Sequence, residues 1–228
     1  MGTKKSPLKI DVLTLFPKMF SGPMSESMIR LAQKKKLVAI HVHNLRKWTH
    51  DTHKTCDDKP FGGGPGMVMK LEPIFEALSE IRKKGKVILT SPRGKPFNQK
   101  MAKAFAKEKH LIFVCGHYEG VDERVHEHLA DLEVSMGDFV MTGGELAAMC
   151  MIDSTVRLIP GVLGNQDSLK LESFQDSSLE YPQYTRPFEF NGWKVPDVLR
   201  SGDHLKIEAW RKAQGMRLTK QLRPDLLK

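Results

Sequence analysis

Two stretches rich in glycine carry the residue types best suited to build a binding site. In the first, the short apolar run 111–115 ends abruptly in Gly-x-Tyr-Glu-Gly, followed by a charged Asp-Glu-Arg. The second, 135–145, again runs through glycines into a helical segment. Each is typical of a buried strand whose C-terminal end reaches a site and is followed by a helix. Together they predict a small-molecule pocket at the strand ends of an α/β sheet.

The segment SPRG at 91–94 would add a third wall to that pocket. It follows a predicted strand at 86–91, as the other two loops follow theirs. By itself this segment fits a simple turn equally well. The recurrence favours a site, because three predicted strands each end in a loop that carries glycine.

Two other motifs favour structure over chemistry. The segment DDKPFGGGPGM at 57–67 is similar to a phosphate-binding loop. It lacks the Lys-Ser/Thr pair that opens the helix of a P-loop, so a plain turn is the better interpretation. His50, His53 and Cys56 are metal-ligand types, but their spacing fits no standard zinc site. We therefore predict no metal.

Arg157 and Glu172 are weak candidates when each is taken alone. Arg157 follows an apolar helical segment. Its guanidinium there either stabilises negative charge that develops in a reaction or caps helix carbonyls. Glu172 lies in a polar stretch without periodicity, where an isolated glutamate is normally solvated. Only a family resemblance raises it to a catalytic candidate.

The composition is typical of a cytosolic protein. A chain of 228 residues accommodates one full domain and a small second one. The three cysteines are odd in number and lack C-x-x-C spacing, which indicates reduced thiols. No apolar run approaches the roughly 20 residues of a membrane span, and the first residues lack the core of a signal peptide. We therefore expect a cytoplasmic protein with no membrane partner.

The net charge of +9 is unevenly distributed. Residues 82–109 contain ten Lys or Arg and one acid, and residues 204–228 contain seven Lys or Arg and two acids. Such clusters favour a polyanionic partner, above all nucleic acid. The alternative, a solvated lysine surface that keeps the protein soluble, explains the charge equally well.

Alternating strand and helix patterns predict an α/β fold. We expect a mostly parallel sheet that helices cover on both faces. Residues 46–67 predict a long loop. Strands are predicted at 8–15, 37–45, 86–91, 111–115 and 132–135, and helices at 24–36, 72–84, 98–109, 122–129 and 143–157.

The character of the sequence changes after Pro160. Residues 1–163 form the predicted sheet domain, and 164–178 form a polar linker without clear periodicity. Residues 179–228 predict a small, basic, helical domain. Within it we expect one helix over 203–214 and another short helix after it.

Six segments together resemble the TrmD family of bacterial tRNA (guanine-N1)-methyltransferases. They are DDKPFGGGPGM, SPRG, CGHYEGVDERV, SMGDFVMTGGELAAM, RLIPGVLG and YPQYTRP, and the likeness in order and spacing extends over 9–228. The resemblance implies a SPOUT-type sheet with a deep C-terminal trefoil knot, an exception to the rule that chains are unknotted. It also implies S-adenosyl-L-methionine as cofactor, tRNA as partner and a homodimer with the active site at the subunit interface. The implied reaction methylates N1 of the guanosine 3′ of the anticodon, at position 37.

The resemblance also implies roles for individual residues. Arg157 matches an arginine that steadies the guanine, and Asp57 matches an acidic residue associated with the substrate. Glu172 and Glu180 stand where the family has aspartates, the first of them the general base, so each carboxylate reaches one methylene further. The positions that match cofactor-binding residues are Pro92, Gly94, Gly116, Tyr118, Glu119, Met136, Gly137, Asp138, Phe139, Val140, Met141, Gly143 and Gly144.

Two alternatives to this function remain open at the level of sequence. The first is a SPOUT methyltransferase that acts on another RNA, which the complete series of segments and the basic C-terminal region disfavour. The second is a non-catalytic RNA-binding protein on the same scaffold, which explains the basic segments equally well. The intact glycine loops argue against the second, because a pure RNA-binding protein does not need them.

Overall fold

The computed structural model describes residues 6–164 and 171–227. The chain divides into two compact units, Met1–Gly164 and Asn165–Lys228. In the described part of the first unit the strands are β1 (Leu8–Thr14), β2 (Val38–Asn44), β3 (Asp57–Asp58), β4 (Val68–Met69), β5 (Lys86–Pro96), β6 (His110–Cys115) and β7 (Leu132–Ser135). The helices of the same unit are α1 (Ser27–Lys34), α2 (Leu71–Ile81), α3 (Gln99–Phe105), α4 (Glu123–His128) and α5 (Glu145–Val156).

Five of these strands form one sheet in the order β2-β1-β6-β5-β7. Every neighbouring pair in the sheet is parallel. Helical crossovers between successive strands produce this arrangement, because each returns the chain to the edge where the preceding strand began. The predicted α/β class with a mostly parallel sheet is confirmed.

Helices cover both faces of the sheet and divide the core in two. On one face α1, α3 and α5 pack around Ile10 and Phe113. On the other face α2 and α4 pack around Leu13 and Val114. A strand that is covered on both sides carries a continuous apolar run, which is why β6 could be predicted from sequence.

A buried carboxylate joins three strands of the sheet. Asp11 on β1 is 1% exposed, and its oxygens lie 2.7 Å from Nε2 of His43 on β2 and 2.6 Å from Nε2 of His110 on β6. Nζ of Lys9 lies 2.7 Å from the same carboxylate. Burial opposes ionisation, but hydrogen bonds from His43, Lys9 and His110 outweigh it and hold the pKa of Asp11 well below its ordinary value.

The first unit differs from the sequence-based elements at three places. The predicted loop 46–67 contains β3, which pairs antiparallel with β4. The strand predicted over 86–91 continues as β5 to Pro96 after an interruption. Asn98 caps α3 as predicted, its side chain accepting a hydrogen bond from Met101 N at 3.0 Å, but this helix ends at Phe105 and not near 109.

In the described part of the second unit, the helix predicted over 203–214 is longer than expected, and a short 3-10 helix, Pro224–Leu227, follows it. A short hairpin of β8 (Glu189–Phe190) and β9 (Trp193–Lys194) precedes α6, which spans His204–Leu222. Gly215 lies within α6. A side chain is excluded at this position, because a Cβ there would lie 2.8 Å from the carbonyl oxygen of Leu179. The hydroxyl of Thr219, one turn later, accepts a hydrogen bond from Leu179 N at 2.8 Å. The glycine therefore lets the chain pack closely against the helix.

Candidate active site

A cavity of about 250 Å³ opens at the carboxyl ends of β5, β6 and β7. Three loops supply most of its walls, one at an interruption within β5 and one after each of β6 and β7, and α4 and α5 complete it. This edge of a parallel sheet is where α/β proteins bind small molecules, because the loops that follow the strands converge there. Its lining residues are Thr90, Ser91, Pro92, Arg93, Gly116, His117, Tyr118, Glu119, Gly120, Val121, Glu123, His126, Val134, Ser135, Met136, Phe139, Val140, Met141, Thr142, Gly143, Gly144 and Ala147.

The first wall is a four-residue excursion within β5. Thr90 and Lys95 both pair with Val134 on β7, so residues 91–94 loop out of the sheet between them. Gly94 closes the excursion, and a Cβ at this position would overlap the backbone nitrogen of Val134. Only glycine lets the two backbones approach so closely. The turn predicted at 91–94 is thus part of a strand that resumes beyond it.

The three loops meet at Thr90. Gly144 N donates a hydrogen bond of 2.7 Å to the carbonyl of Gly116, and a Cβ on residue 144 would overlap Oγ1 of Thr90. That hydroxyl donates to the carbonyl of Val114 at 3.2 Å and accepts from Gly116 N at 3.3 Å. The glycine at 144 is therefore required by the close approach of the β7 loop to the ends of β5 and β6.

Ten of the predicted cofactor-binding residues line this cavity. They are Pro92, Gly116, Tyr118, Glu119, Met136, Phe139, Val140, Met141, Gly143 and Gly144. Gly94, Gly137 and Asp138 do not line it. Gly94 serves the backbone crossing, Gly137 adopts a φ of +147° in the turn after β7, and Asp138 is exposed beside it.

The remaining lining residues were missed in the sequence for two different reasons. His117 lies inside the predicted motif, and Thr90 is the polar end of an apolar strand run, so both carried a sequence signal. Arg93 and Glu123 also lie in segments that the sequence singled out, SPRG and CGHYEGVDERV, whereas His126 carried no such signal. These three residues belong to the β5 excursion and to α4, and only the folded sheet brings these elements together.

A buried carboxylate lies close to the cavity-lining residue His117. Glu145, in the first turn of α5, is 1% exposed, and its Oε1 accepts a hydrogen bond of 2.7 Å from the hydroxyl of Thr14. Nδ1 of His117 lies 3.9 Å from Oε2 of Glu145 and makes no hydrogen bond to any described residue.

Asp57 lies beside Tyr118, which lines the cavity. The segment 67–69 runs along the loop that carries Tyr118, with Glu119 N donating to the carbonyl of Met67 at 3.0 Å and Met69 N to that of Gly120 at 2.9 Å. Burial and the nearby Asp57 carboxylate raise the pKa of Tyr118. The segment 57–67 thus does more than turn the chain, since it holds an acidic residue beside a lining residue.

The predicted catalytic residues belong to different units. Arg157 ends α5, where its N–H donates to the carbonyl of Asp153 at 3.2 Å, and it is half-buried without lining the cavity. Glu172 and Glu180 are half-buried in the second unit. The N–H of Glu180 donates to Oγ of Ser173 at 2.9 Å, and its carboxylate accepts from Gln183. The catalytic role of Arg157 and Glu172 and the substrate-binding role of Glu180 stay predictions.

The described residues carry few other features of a reactive site. Residues 6–164 and 171–227 contain no group of three or more His, Cys, Asp or Glu that could hold a metal ion. Cys56, Cys115 and Cys150 are free, and burial raises the pKa of Cys115 well above its ordinary value. In the same ranges no helix combines the length and apolar character needed to span a bilayer.

Comparison with known proteins assigns the chain to a family. The family model described as tRNA (Guanine-1)-methyltransferase TrmD matches residues 8–228. A tRNA (guanine-N(1)-)-methyltransferase of Brevibacillus brevis is 56% identical over 222 residues, which cover 96% of this chain and 91% of that protein. Proteins with the same description from Anoxybacillus flavithermus and Dehalococcoides mccartyi are 54% and 53% identical, each covering 96% of this chain and 91% and 90% of their own length. The chain therefore belongs to the tRNA (guanine-1)-methyltransferase TrmD family.

Proposed function

We propose that this protein methylates N1 of the guanosine 3′ of the tRNA anticodon, at position 37, with S-adenosyl-L-methionine as the methyl donor. The observation that carries the proposal is the family match over residues 8–228, in a chain whose glycine loops enclose a cavity. The same match favours an enzyme over a non-catalytic RNA-binding protein, because the glycine loops are intact.

The cavity is suited to S-adenosyl-L-methionine. Its volume of about 250 Å³ lies just below the range of typical small-molecule sites, roughly 300–1,000 Å³. Backbone groups of Gly116, Gly143 and Gly144 border it, and Met136 and Met141 supply apolar walls. When bound, the cofactor supplies a methyl group on a positively charged sulfonium, so a metal is not needed to activate the donor.

The chain's own residues would prepare guanine for the reaction. N1 of neutral guanine carries a proton and is a poor nucleophile, so a carboxylate within hydrogen-bond reach must accept that proton. We assign this role to Glu172. The guanidinium of Arg157 would stabilise the negative charge that builds on guanine O6. Asp57, beside Tyr118, would contact the substrate, as would Glu180. The base must leave its stack to be reached.

Methyl transfer to tRNA transcripts tests the proposal directly. A transcript with guanosine at position 37 should accept one methyl group from labelled S-adenosyl-L-methionine, and a transcript with adenosine there should accept none. A thermal shift with the cofactor alone separates binding from transfer. Cofactor binding without transfer would favour the scaffold alternative, and transfer to the adenosine transcript would favour a different target site.

We propose that the protein acts as a homodimer with the active site at the subunit interface. Beyond the family resemblance, the support is the apolar surface of the first unit. Phe139, Val140 and Leu146 are 57%, 84% and 52% exposed at or beside the cavity, and exposed apolar patches commonly mark interaction sites. Fully active protein with a monomeric mass by light scattering at micromolar concentration would overturn this assignment.

We also propose the trefoil knot of the SPOUT fold for the region around the cavity. The supporting contacts are the crossing of the β5 excursion over Val134 and the return of the β7 loop to Gly116, where His117 and Gly143 form an isolated bridge. Pulling the chain from its two ends should leave it shorter than a fully extended chain. Extension to full contour length would exclude the knot.

The domain boundaries and the location of the protein are part of the proposal. Residues 1–163 would bind the cofactor, 164–178 would form a linker and 179–228 would bind tRNA. In the second unit Lys212, Arg217 and Lys220 are exposed on α6, which suits contact with phosphates.

Free thiols at all three cysteines support a cytoplasmic location, because reducing compartments keep cysteines unpaired.

A further inference from the structure

A network of charged side chains braces the first wall of the cavity. Nη2 of Arg93, in the β5 excursion, lies 2.9 Å from Oε2 of Glu123 and 3.0 Å from Nδ1 of His126, both on α4. Nε of Arg93 lies 3.5 Å from Oε1 of Glu133 on β7. Arg93, Glu123 and His126 line the cavity themselves. The network therefore holds the excursion against two neighbouring elements.

One ring nitrogen in this network has two incompatible partners. Nδ1 of His126 lies 3.0 Å from the Arg93 donor and 3.1 Å from Oε2 of Glu133, an acceptor. An imidazole nitrogen either carries a proton and donates or offers a lone pair and accepts, and it cannot do both. With a lone pair, Nδ1 accepts from Arg93. With a proton, it donates to Glu133 and its N–H opposes the N–H of Arg93.

The other contacts of Arg93 do not replace this one. Arg93 and Glu123 are 55% and 58% exposed, and ion pairs between exposed side chains contribute little. His126 is 11% exposed, so its contact is the better shielded one. The charged groups that face His126 are Arg93 from β5, Glu133 from β7, and Asp122 and Glu123 from the start of its own helix.

Ser91 is tied to the same network. Burial opposes ionisation of Glu133, but hydrogen bonds from Ser91 and His126 outweigh it and lower the pKa of this carboxyl. Ser91 also accepts a hydrogen bond of 3.2 Å from Arg93 N. A change at His126 is thus transmitted to both ends of the segment 91–93, which includes the cavity-lining Pro92.

We propose that His126 is a positioning residue for the cofactor, whose proton decides whether Arg93 holds the segment 91–93 in place as a wall of the cavity. The proposal rests on the proposed function, since it takes S-adenosyl-L-methionine as the occupant. Neutral His126 with its proton on Nε2 leaves Nδ1 free to accept from Arg93 and keeps the wall anchored. Protonated His126 pairs with Glu133 and releases Arg93, and the cofactor then binds more weakly. Affinity for the cofactor therefore falls as the pH falls.

Calorimetric titration with S-adenosyl-L-methionine from about pH 5.5 to about 8.5 covers the range in which histidine side chains titrate. The wild-type affinity should fall on acidification by roughly fivefold, the worth of about one hydrogen bond. His126→Gln should remove this dependence, because glutamine does not titrate. His128→Gln is the matched control on the same helix: His128 is 69% exposed and its Nε2 lies 3.6 Å from the Glu127 carboxylate, so this variant should keep the wild-type profile.

The demethylated product, S-adenosylhomocysteine, separates two causes of a pH dependence. Its sulfur is neutral, so direct repulsion between protonated His126 and the sulfonium would weaken only the methyl donor. Loss of the wall should weaken both ligands equally. A dependence seen with the donor alone would overturn the proposal, as would a flat wild-type profile or the same loss in His128→Gln.

Two further variants should move the midpoint of the profile in opposite directions. Glu133→Gln removes the anion that favours protonated His126, so the midpoint should shift to lower pH. Arg93→Gln removes the cation that opposes protonation, so the midpoint should shift to higher pH.

NMR titration of His126 Cε1 and Arg93 Nε without ligand should give one shared midpoint. Independent midpoints would overturn the coupling even in a protein that binds no cofactor, whereas absence of cofactor binding at every pH contradicts the proposed function instead.

Discussion

At the scale of single residues, the proposed chemistry depends on which carboxylate removes the N1 proton. Glu172 is half-buried in a turn of the second unit, and it is one methylene longer than the aspartate that the family resemblance places there. Asp176, four residues later, is exposed and accepts a hydrogen bond from Ser178. Asp167, the other nearby carboxylate, lies outside the described residues.

Glu172→Gln keeps the shape of the side chain and removes its basicity. We expect single-turnover methyl transfer to slow by roughly 10²–10⁴-fold, the usual contribution of a positioned base, with cofactor affinity unchanged. Asp176→Asn and Asp167→Asn are the matched controls and should transfer at the wild-type rate. Normal transfer by Glu172→Gln together with collapse of either control would identify a different base.

Gly144 is a residue at which the cavity tolerates little change. Gly144→Ala places a methyl group on Oγ1 of Thr90, whose two hydrogen bonds prevent easy movement. We expect a loss of about 1–3 kcal/mol in the free energy of unfolding, as for other overpacked sites, and a clear loss of cofactor affinity. Denaturant titration and calorimetry measure the two effects.

Gly22→Ala is the control for this change, because a Cβ at residue 22 meets nothing within 4 Å. It should leave the free energy of unfolding within about 0.5 kcal/mol of wild type. Equal stability of Gly144→Ala and Gly22→Ala would show that the loop crossing at Thr90 is not as close as the structure has it.

At the scale of elements, Asp11 couples β1 to β2 and β6. Asp11→Asn leaves His43, His110 and Lys9 without their anion, and removing one partner from a buried ion pair costs about 3–5 kcal/mol. We expect that loss in the free energy of unfolding at neutral pH. Asp197→Asn, at a carboxylate that is 93% exposed, should change the free energy of unfolding by less than about 0.5 kcal/mol.

The pH dependence of this effect has a definite sign. The pKa of Asp11 is lowered in the folded protein, so its stabilisation is complete above the ordinary aspartate pKa of about 3.9 and is lost as the pH falls towards the lowered value. The gap in unfolding free energy between wild type and Asp11→Asn should therefore narrow below about pH 4. A gap that stays constant from neutral pH into that range would contradict the ion-pair explanation.

At the scale of the molecule, the basic segment 82–109 is not one surface. Lys83 and Lys84 directly precede β5, and Lys109 precedes β6, where its carbonyl accepts a hydrogen bond from Lys9 N. These lysines therefore lie at the amino edge of the sheet. The cavity lies at the carboxyl edge, roughly 15 Å away along a strand of five residues. The sequence alone grouped these charges with others near the cavity.

We expect tRNA binding to depend on the lysines of α6 more than on those of the amino edge. The double variant Lys212→Gln/Lys220→Gln should weaken tRNA binding and reduce the slope of log affinity against log salt by roughly 1.4–1.8, at 0.7–0.9 per lost phosphate contact. Lys83→Gln/Lys84→Gln removes the same charge and should change the slope little. Equal effects of the two variants in filter binding would reject the assignment of the tRNA surface to α6.

The sequence by itself determined the fold class and the loops that bear the cavity, because both depend on local patterns. Apolar runs marked strands that are buried on both faces, and glycines marked the loops where backbones come close, as at Gly116 and Gly144. Asn98 likewise predicted the start of α3, because a helix cap depends only on residues within one turn.

Only the tertiary structure decided which side chains meet. Thr14 and Glu145 are 131 positions apart, yet they share a buried hydrogen bond. Arg93 reaches His126 because a strand interrupted at 91–94 brings it to α4. Parallel crossovers place residues that are distant in the chain at one edge of the sheet, and no local pattern records which of them will be neighbours.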